Sequence, residues 1–300
     1  ASDDNVFIGF HSGNGTWTYS ESSQNTAVGS YTMNAAMDGA LNNTAIGHIA
    51  LGALTTGSYN VAIGSEAGDG ITDSASNVAI GYAALSGVAS SNNTVIGYRA
   101  GNSVTGGGNS VFGTDAMLTA TAVDNCIAIG YNALYTANTD TADGTGAASG
   151  GTTLIGYHAG YYVPGGGETA GGLTTGIQNT AVGHEALGAN AGDGNALTGN
   201  ANTVVGYRAG YVMKTGAASN TLIGSTSGLA LTTGLNNVCF GSGSGNAITS
   251  GNNNVTMGTG SNGAATASYQ TAIGYGATTQ NAHEARIGHS GGFQFYSREL

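Results

Sequence analysis

One short motif recurs from end to end: Asn, a Thr or Val, a small apolar residue, an Ile-like residue, then Gly. Clear copies are Asn43-Thr44-Ala45-Ile46-Gly47, Asn60-Val61-Ala62-Ile63-Gly64 and Asn179-Thr180-Ala181-Val182-Gly183. Anchor glycines stand at 9, 29, 47, 64, 81, 97, 113, 130, 156, 183, 206, 224, 241, 258, 274 and 288, sixteen in all. The basal spacing is close to 17 residues, and the three longest intervals, of 26, 27 and 23, run from Gly130 to Gly206. So short a period excludes propeller blades, ankyrin repeats and helical hairpins, and it fits one turn of a β-solenoid. The expected fold is all-β: a parallel β-roll of about 16 short rungs over residues 1–288, with 289–300 as an exit strand.

The columns of the repeat carry the same message. The residue before each anchor glycine is apolar in all sixteen copies. Two residues earlier stands Thr or Val in most of them, as at Thr26, Val61, Thr94 and Val238. Side chains alternate along a strand, so these two columns share one face. Their β-branched character suits a pleated surface. The column three after the glycine is small (Ala50, Ala67, Ala100, Ala159, Ser227, Ser244), which implies close approach of another backbone layer. Glycine supplies the φ > 0 of tight corners. The asparagine column is either a set of turn formers or a stacked amide ladder.

Composition removes the other classes. Glycine accounts for 55 of 300 residues, proline for one, and charged residues for 7 %. A soluble domain usually has about 25 % charge, so coiled coils and ordinary helical bundles are excluded. The net charge is −11, and the five bases Arg99, Arg208, Lys214, Arg286 and Arg298 are scattered. Phosphate binding to nucleic acid is therefore not expected. No apolar run reaches the roughly 18 residues of a membrane span. The opening Ala1-Ser2-Asp3-Asp4 lacks the basic start and apolar core of a signal peptide. Cys126 and Cys239 lie far apart, without a second cysteine nearby for a metal or redox pair.

Rungs stack about 4.8 Å apart, so sixteen would make a stack roughly 75 Å long. Each rung has few apolar side chains, and many are alanine. Burial at ~25 cal/mol per Å² barely offsets the ordering entropy of so thin a roll. A further apolar face covered by other copies would supply the difference, and several chains packed side by side are expected. The excess acids then lie outside and keep the assembly soluble.

The Asn-x-Ala-Ile-Gly-x-x-Ala repeat resembles the left-handed parallel β-roll head of trimeric autotransporter adhesins of the YadA type. It resembles still more the same repeat in bacteriophage tail fibres. The resemblance covers residues 5 to about 288. It implies a left-handed roll, trimerisation, a place in the virion next to other tail proteins, and contact with a host surface glycan or protein. The rungs here exceed the roughly fourteen residues of the adhesin heads, and the extra residues are expected in end loops. Ala285-Arg286-Ile287-Gly288 closes the roll, and Phe293, Phe295 and Tyr296 follow. The ending Ser297-Arg298-Glu299-Leu300 is similar to the start of an endosialidase-type intramolecular chaperone domain, which implies that such a domain is missing here.

Three insertions, centred on 135–151, 161–178 and 188–201, are the expected binding loops. Solenoid insertions map to loops on one face. Tyr135, Tyr161, Tyr162 and Tyr211 stand at their bases, and aromatic rings suit the flat faces of sugars. Trp17 and Tyr19, in the long first rung, are further candidates. The regular tyrosine column after the glycine (Tyr82, Tyr98, Tyr131, Tyr157, Tyr207, Tyr275) reads as structural stacking.

Catalysis is not expected. Glu66, Asp115 and Glu185 share a variable column with His11, His158, Arg99 and Arg208, which reads as a solvated face. Glu66 and Asp115 would lie about 14 Å apart by rung stacking, beyond the roughly 5–9.5 Å of glycosidase pairs. The histidines lack metal-ligand spacing, and no cofactor or metal is expected. The function read from the sequence is a trimeric fibre segment that binds a host surface. Its rivals are a bacterial surface adhesin head, a structural extracellular filament, and an ice-binding face.

Overall fold

The computed structural model describes residues 4–15, 20–135, 150–161, 177–188, 199–214 and 216–289. Over the described residues the chain is an all-β solenoid of sixteen parallel three-residue strands, in two compact units, Ala1–Ile155 and Gly156–Leu300. The first unit holds β1 (Val6–Ile8), β2 (Thr26–Val28), β3 (Thr44–Ile46), β4 (Val61–Ile63), β5 (Val78–Ile80), β6 (Thr94–Ile96), β7 (Ser110–Phe112), β8 (Ile127–Ile129) and β9 (Thr153–Ile155). The second holds β10 (Thr180–Val182), β11 (Thr203–Val205), β12 (Thr221–Ile223), β13 (Val238–Phe240), β14 (Val255–Met257), β15 (Thr271–Ile273) and β16 (Ala285–Ile287). Within each unit the strands pair in chain order, and every residue faces its column-mate, as in Thr44↔Val61, Ala45↔Ala62 and Ile46↔Ile63.

Each strand ends at its anchor glycine, for two reasons. Gly47 has φ +141, a region that L side chains rarely adopt. A Cβ there would also collide with the carbonyl oxygen of Gly64 in the next rung. The glycine column is thus a stack of bare backbone.

The interior is narrow. The middle residue of each strand points inward: Ala27, Ala45, Ala62, Ala79 and Val95 are fully buried in the first unit, and Ala181, Val204, Leu222 and Ala272 in the second. The small column closes the opposite wall, with Ala50, Ala67 and Ala100 also fully buried. Leu54, Ile71 and Val104 fill the rung's far side.

The asparagines form a buried ladder. In the first unit it runs from Asn5 through Asn25, Asn43, Asn60, Asn77 and Asn93 to Asn109. The amide oxygen of Asn43 accepts the backbone N–H of Asn60 at 2.9 Å and its side-chain NH₂ at 3.1 Å. That NH₂ also donates to the Ser74 carbonyl at 2.9 Å. Cys126 follows Asn109 and still donates its N–H to the ladder at 2.9 Å, but it offers no amide in turn. In the second unit the ladder runs Asn179, Asn202, Asn220, Asn237, Asn254, Gln270. These residues satisfy buried backbone groups that would otherwise be orphaned.

The corners use many residue types besides glycine. The column two after the anchor glycine is left-handed at Glu66 (φ 60), Arg99 (φ 49), Asp115 (φ 55) and Glu185 (φ 53). The column before the ladder is left-handed at Asn42, Tyr59, Ser76 and Asn92. Such a residue costs on the order of 1–2 kcal/mol. An inter-rung hydrogen bond holds it there: Glu66 N–H to His48 O at 2.8 Å, Arg99 N–H to Tyr82 O at 2.8 Å, Ser76 N–H to Ser58 O at 3.0 Å.

The first and third residues of each strand point outward. The third column, from Ile8 through Ile46, Ile63 and Phe112 to Phe240 and Met257, is apolar in every rung and partly exposed, at 37 % for Ile63 and 51 % for Phe240. In each unit this column forms an apolar face beyond the roll's interior.

Candidate functional site

Aromatic and charged side chains gather on the two columns that follow the anchor glycine. Consecutive rungs bring like columns to one rung spacing, about 4.8 Å, so rings there come into contact. Tyr82 and Tyr98 do so at 5.3 Å and 22°. Arg99 lies 5.1 Å from the Tyr98 ring centroid. Its guanidinium grips Asp115 of the next rung with two bonds, Nε–Oδ1 and Nη2–Oδ2, each 2.9 Å. Asp115 is 8 % exposed. The variable column is therefore not simply solvated: opposite charges pair along it from rung to rung. Partial exposure of Arg99 keeps the pair's value to about 0.2–1 kcal/mol.

The second unit carries the denser patch. Tyr161, His158, Tyr157 and His184 form a continuous stack, with centroid separations of 4.0, 3.9 and 4.8 Å. Tyr207 tilts onto His184 at 5.4 Å. Arg208 lies 4.1 Å over the Tyr211 ring. Its Nε is 3.0 Å from Glu185 Oε2, an ionic contact without hydrogen-bond alignment. The Tyr211 hydroxyl first, and more weakly Glu185, push the Arg208 guanidinium above its usual range, while burial opposes them. Burial pushes the His158 imidazole below its usual value; Glu185 opposes this and His184 adds to it. A third cluster, Phe10, His11, Tyr31 and His48, occupies the first rungs, with His11 stacked on Tyr31 at 5.2 Å and 11°.

The candidates named from the sequence fall out unevenly. Tyr161 and Tyr211 belong to the second unit's patch. Tyr135 is half-buried in the first unit, where its carbonyl accepts both the N–H and the hydroxyl of Thr119. Trp17, Tyr19 and Tyr162, and most of the three insertions, lie outside the described residues. The stacked rings face one another, so the patch offers edges and hydroxyls more than open faces. The ladder residues Asn43, Asn60 and Asn179, the outward Ile46, Ile63 and Val182, and the anchors Gly47, Gly64 and Gly183 take their structural columns. Sequence reasoning misses His158, His184, Glu185 and Arg208 as binding residues. The signal for His158, Glu185 and Arg208 is an acid and bases in the same column of consecutive rungs, whereas His184 stands in the tyrosine column.

One carboxyl pair sits within a rung. Burial, and next the charge of Glu66, push the Asp69 carboxyl above its usual range. Glu66 in turn pushes the Tyr82 phenol up. Both cysteines are buried, and burial pushes each thiol up to about 11. Thiols so placed are inert at neutral pH. Among the described residues, no group of three or more His, Cys, Asp or Glu is arranged to hold a metal. No helix among them is long and apolar enough to cross a membrane. No protein-family model matches this chain, and no curated protein does.

Proposed function

We propose that the chain is a segment of a trimeric phage tail fibre, a left-handed β-roll of the YadA-head type that projects from the virion and contacts the host surface. The outward apolar column carries the reading. A monomer rarely leaves a large contiguous apolar patch in water, and three copies of this column around an axis would cover it. Contact with a host glycan or protein falls to the aromatic patch of Tyr157, Tyr161, Tyr207 and Tyr211. Three copies of each loop bind by avidity, so single contacts can be weak. Other tail proteins would meet the N-terminal end. Neither catalysis nor a cofactor is part of this role.

Light scattering tests the assembly first. Three chains of 29.3 kDa give about 88 kDa. A stable monomer of 29.3 kDa would sink the reading. The outward Thr and Ile columns would then favour the ice-binding alternative, which a thermal-hysteresis assay decides.

A further inference from the structure

Toward β16 the interior of the second unit changes character rung by rung. The middle strand column reads Leu222, Cys239, Thr256, Ala272, Arg286. The small column is hydroxylic at Ser227, Ser244 and Ser261 and returns to alanine at Ala277; Ser244 bonds Thr256 at 2.8 Å and Ser261 at 3.1 Å, all three buried. The ladder column reads Asn237, Asn254, Gln270, Glu284. Gln270 still donates its N–H to Asn254 at 2.9 Å, but its side-chain NH₂ turns to the Asn281 carbonyl.

At β16 both interior columns hold a charge. Glu284 uses Oε2 within its own rung, accepting the N–H groups of Gln280 at 2.8 Å and Asn281 at 3.0 Å. Its Oε1 lies 3.6 Å from Arg286 Nη2. The Arg286 side chain is 48 % exposed, in a column whose members are fully buried at Leu222 and Ala272. The β1 rung of the first unit has an ordinary ladder residue and an apolar middle residue, Asn5 and Phe7.

We propose that β16 is a stop rung, with Glu284 and Arg286 preventing another parallel rung from stacking on this end. A further rung would bury the guanidinium in a column that elsewhere holds only uncharged side chains such as Leu222, Cys239, Thr256 and Ala272. It would also meet a carboxylate already committed to Gln280 and Asn281, where it needs an amide. Burying a charge without a full set of partners is costly. Repeat stacks need polar terminal caps, because a bare strand edge is a template for association. The proposal does not depend on the number of chains in the assembly.

The test restores an ordinary rung with the double substitution Glu284→Asn/Arg286→Ala in the full chain. Light scattering across a hundredfold concentration range should show growth to at least twice the wild-type mass, with end-to-end particles in negative-stain images. A mass distribution identical to wild type overturns the proposal. Growth is counted in multiples of the wild-type mass, so failure here is distinct from failure of the trimer. Should the double variant lose its strand signal in circular dichroism, Arg286→Ala alone decides, since it leaves the Glu284 bonds in place. Its growth supports the stop rung, and unchanged mass overturns it.

Discussion

Asparagine suits the ladder column because one short side chain offers an acceptor toward the following rung and two donors. Aspartate would offer only acceptors and would repel its column-mates. Asn60→Ala removes the acceptor for the Asn77 N–H and for its side-chain NH₂, both buried. Each orphaned donor costs about 1–3 kcal/mol. Chemical denaturation should therefore find Asn60→Ala less stable by about 2–6 kcal/mol, and a loss below half a kcal/mol would show that water reaches the column. His158 sets a pH dependence. Its folded pKa lies below the usual 6.5 because burial favours the neutral ring. The unfolded chain thus binds the proton more readily. The stability His158 contributes is complete above the usual value and is lost as pH falls through the folded one. Melting curves from pH 7.5 to 5 should fall less steeply for His158→Gln than for wild type. Equal slopes would remove His158 as the cause.

A rung is the working element, and its three-residue strand has two unlike faces. Ala62 points into a closed interior while Ile63, its neighbour, points out. Register is pinned on both sides, by the ladder amide before the strand and the bare glycine after it. The two faces should respond differently to substitution. Ala62→Leu overpacks the interior and should cost about 1–3 kcal/mol. Ile63→Lys should keep the strand signal and lower the assembled mass, read by circular dichroism and light scattering together. If Ile63→Lys leaves the mass unchanged, the outward face is not the contact between chains.

At the scale of the whole chain, repetition makes local errors cheap and end effects expensive. Each rung touches only its neighbours, so stability is close to a sum over rungs and their interfaces. That explains how left-handed corners recur at Ile49, Arg99 and His158 alike: neighbouring rungs hold the backbone there whatever the side chain. It also explains why, among the described residues, the paired charges of Arg99, Asp115, Glu185 and Arg208 stand at corners and those of Glu284 and Arg286 at β16. Inside, Arg286 would have no partner column. Outside, Arg99 finds Asp115 and Arg208 finds Glu185 one rung away. The sixteen strands were legible in the sequence because each needs its own anchor glycine and apolar neighbour. The ring stacks were legible only as a column of tyrosines. Histidines and a phenylalanine join them, and composition does not tell a stacked histidine from a solvated one.

Period and column chemistry alone determined the number of rungs, their parallel register and the column of bare glycines. All three follow from steric rules that act within one rung and its neighbour. The direction of each strand face was settled only by tertiary structure. The Thr and Ile columns could have closed the core, but the middle column points inward instead, with Ala62 fully buried and Ile63 37 % exposed, and alternation along a three-residue strand then turns both of its neighbours out. The left-handed corners at residues other than glycine were likewise decided by the stack, because inter-rung hydrogen bonds outweigh a backbone preference that the local sequence opposes.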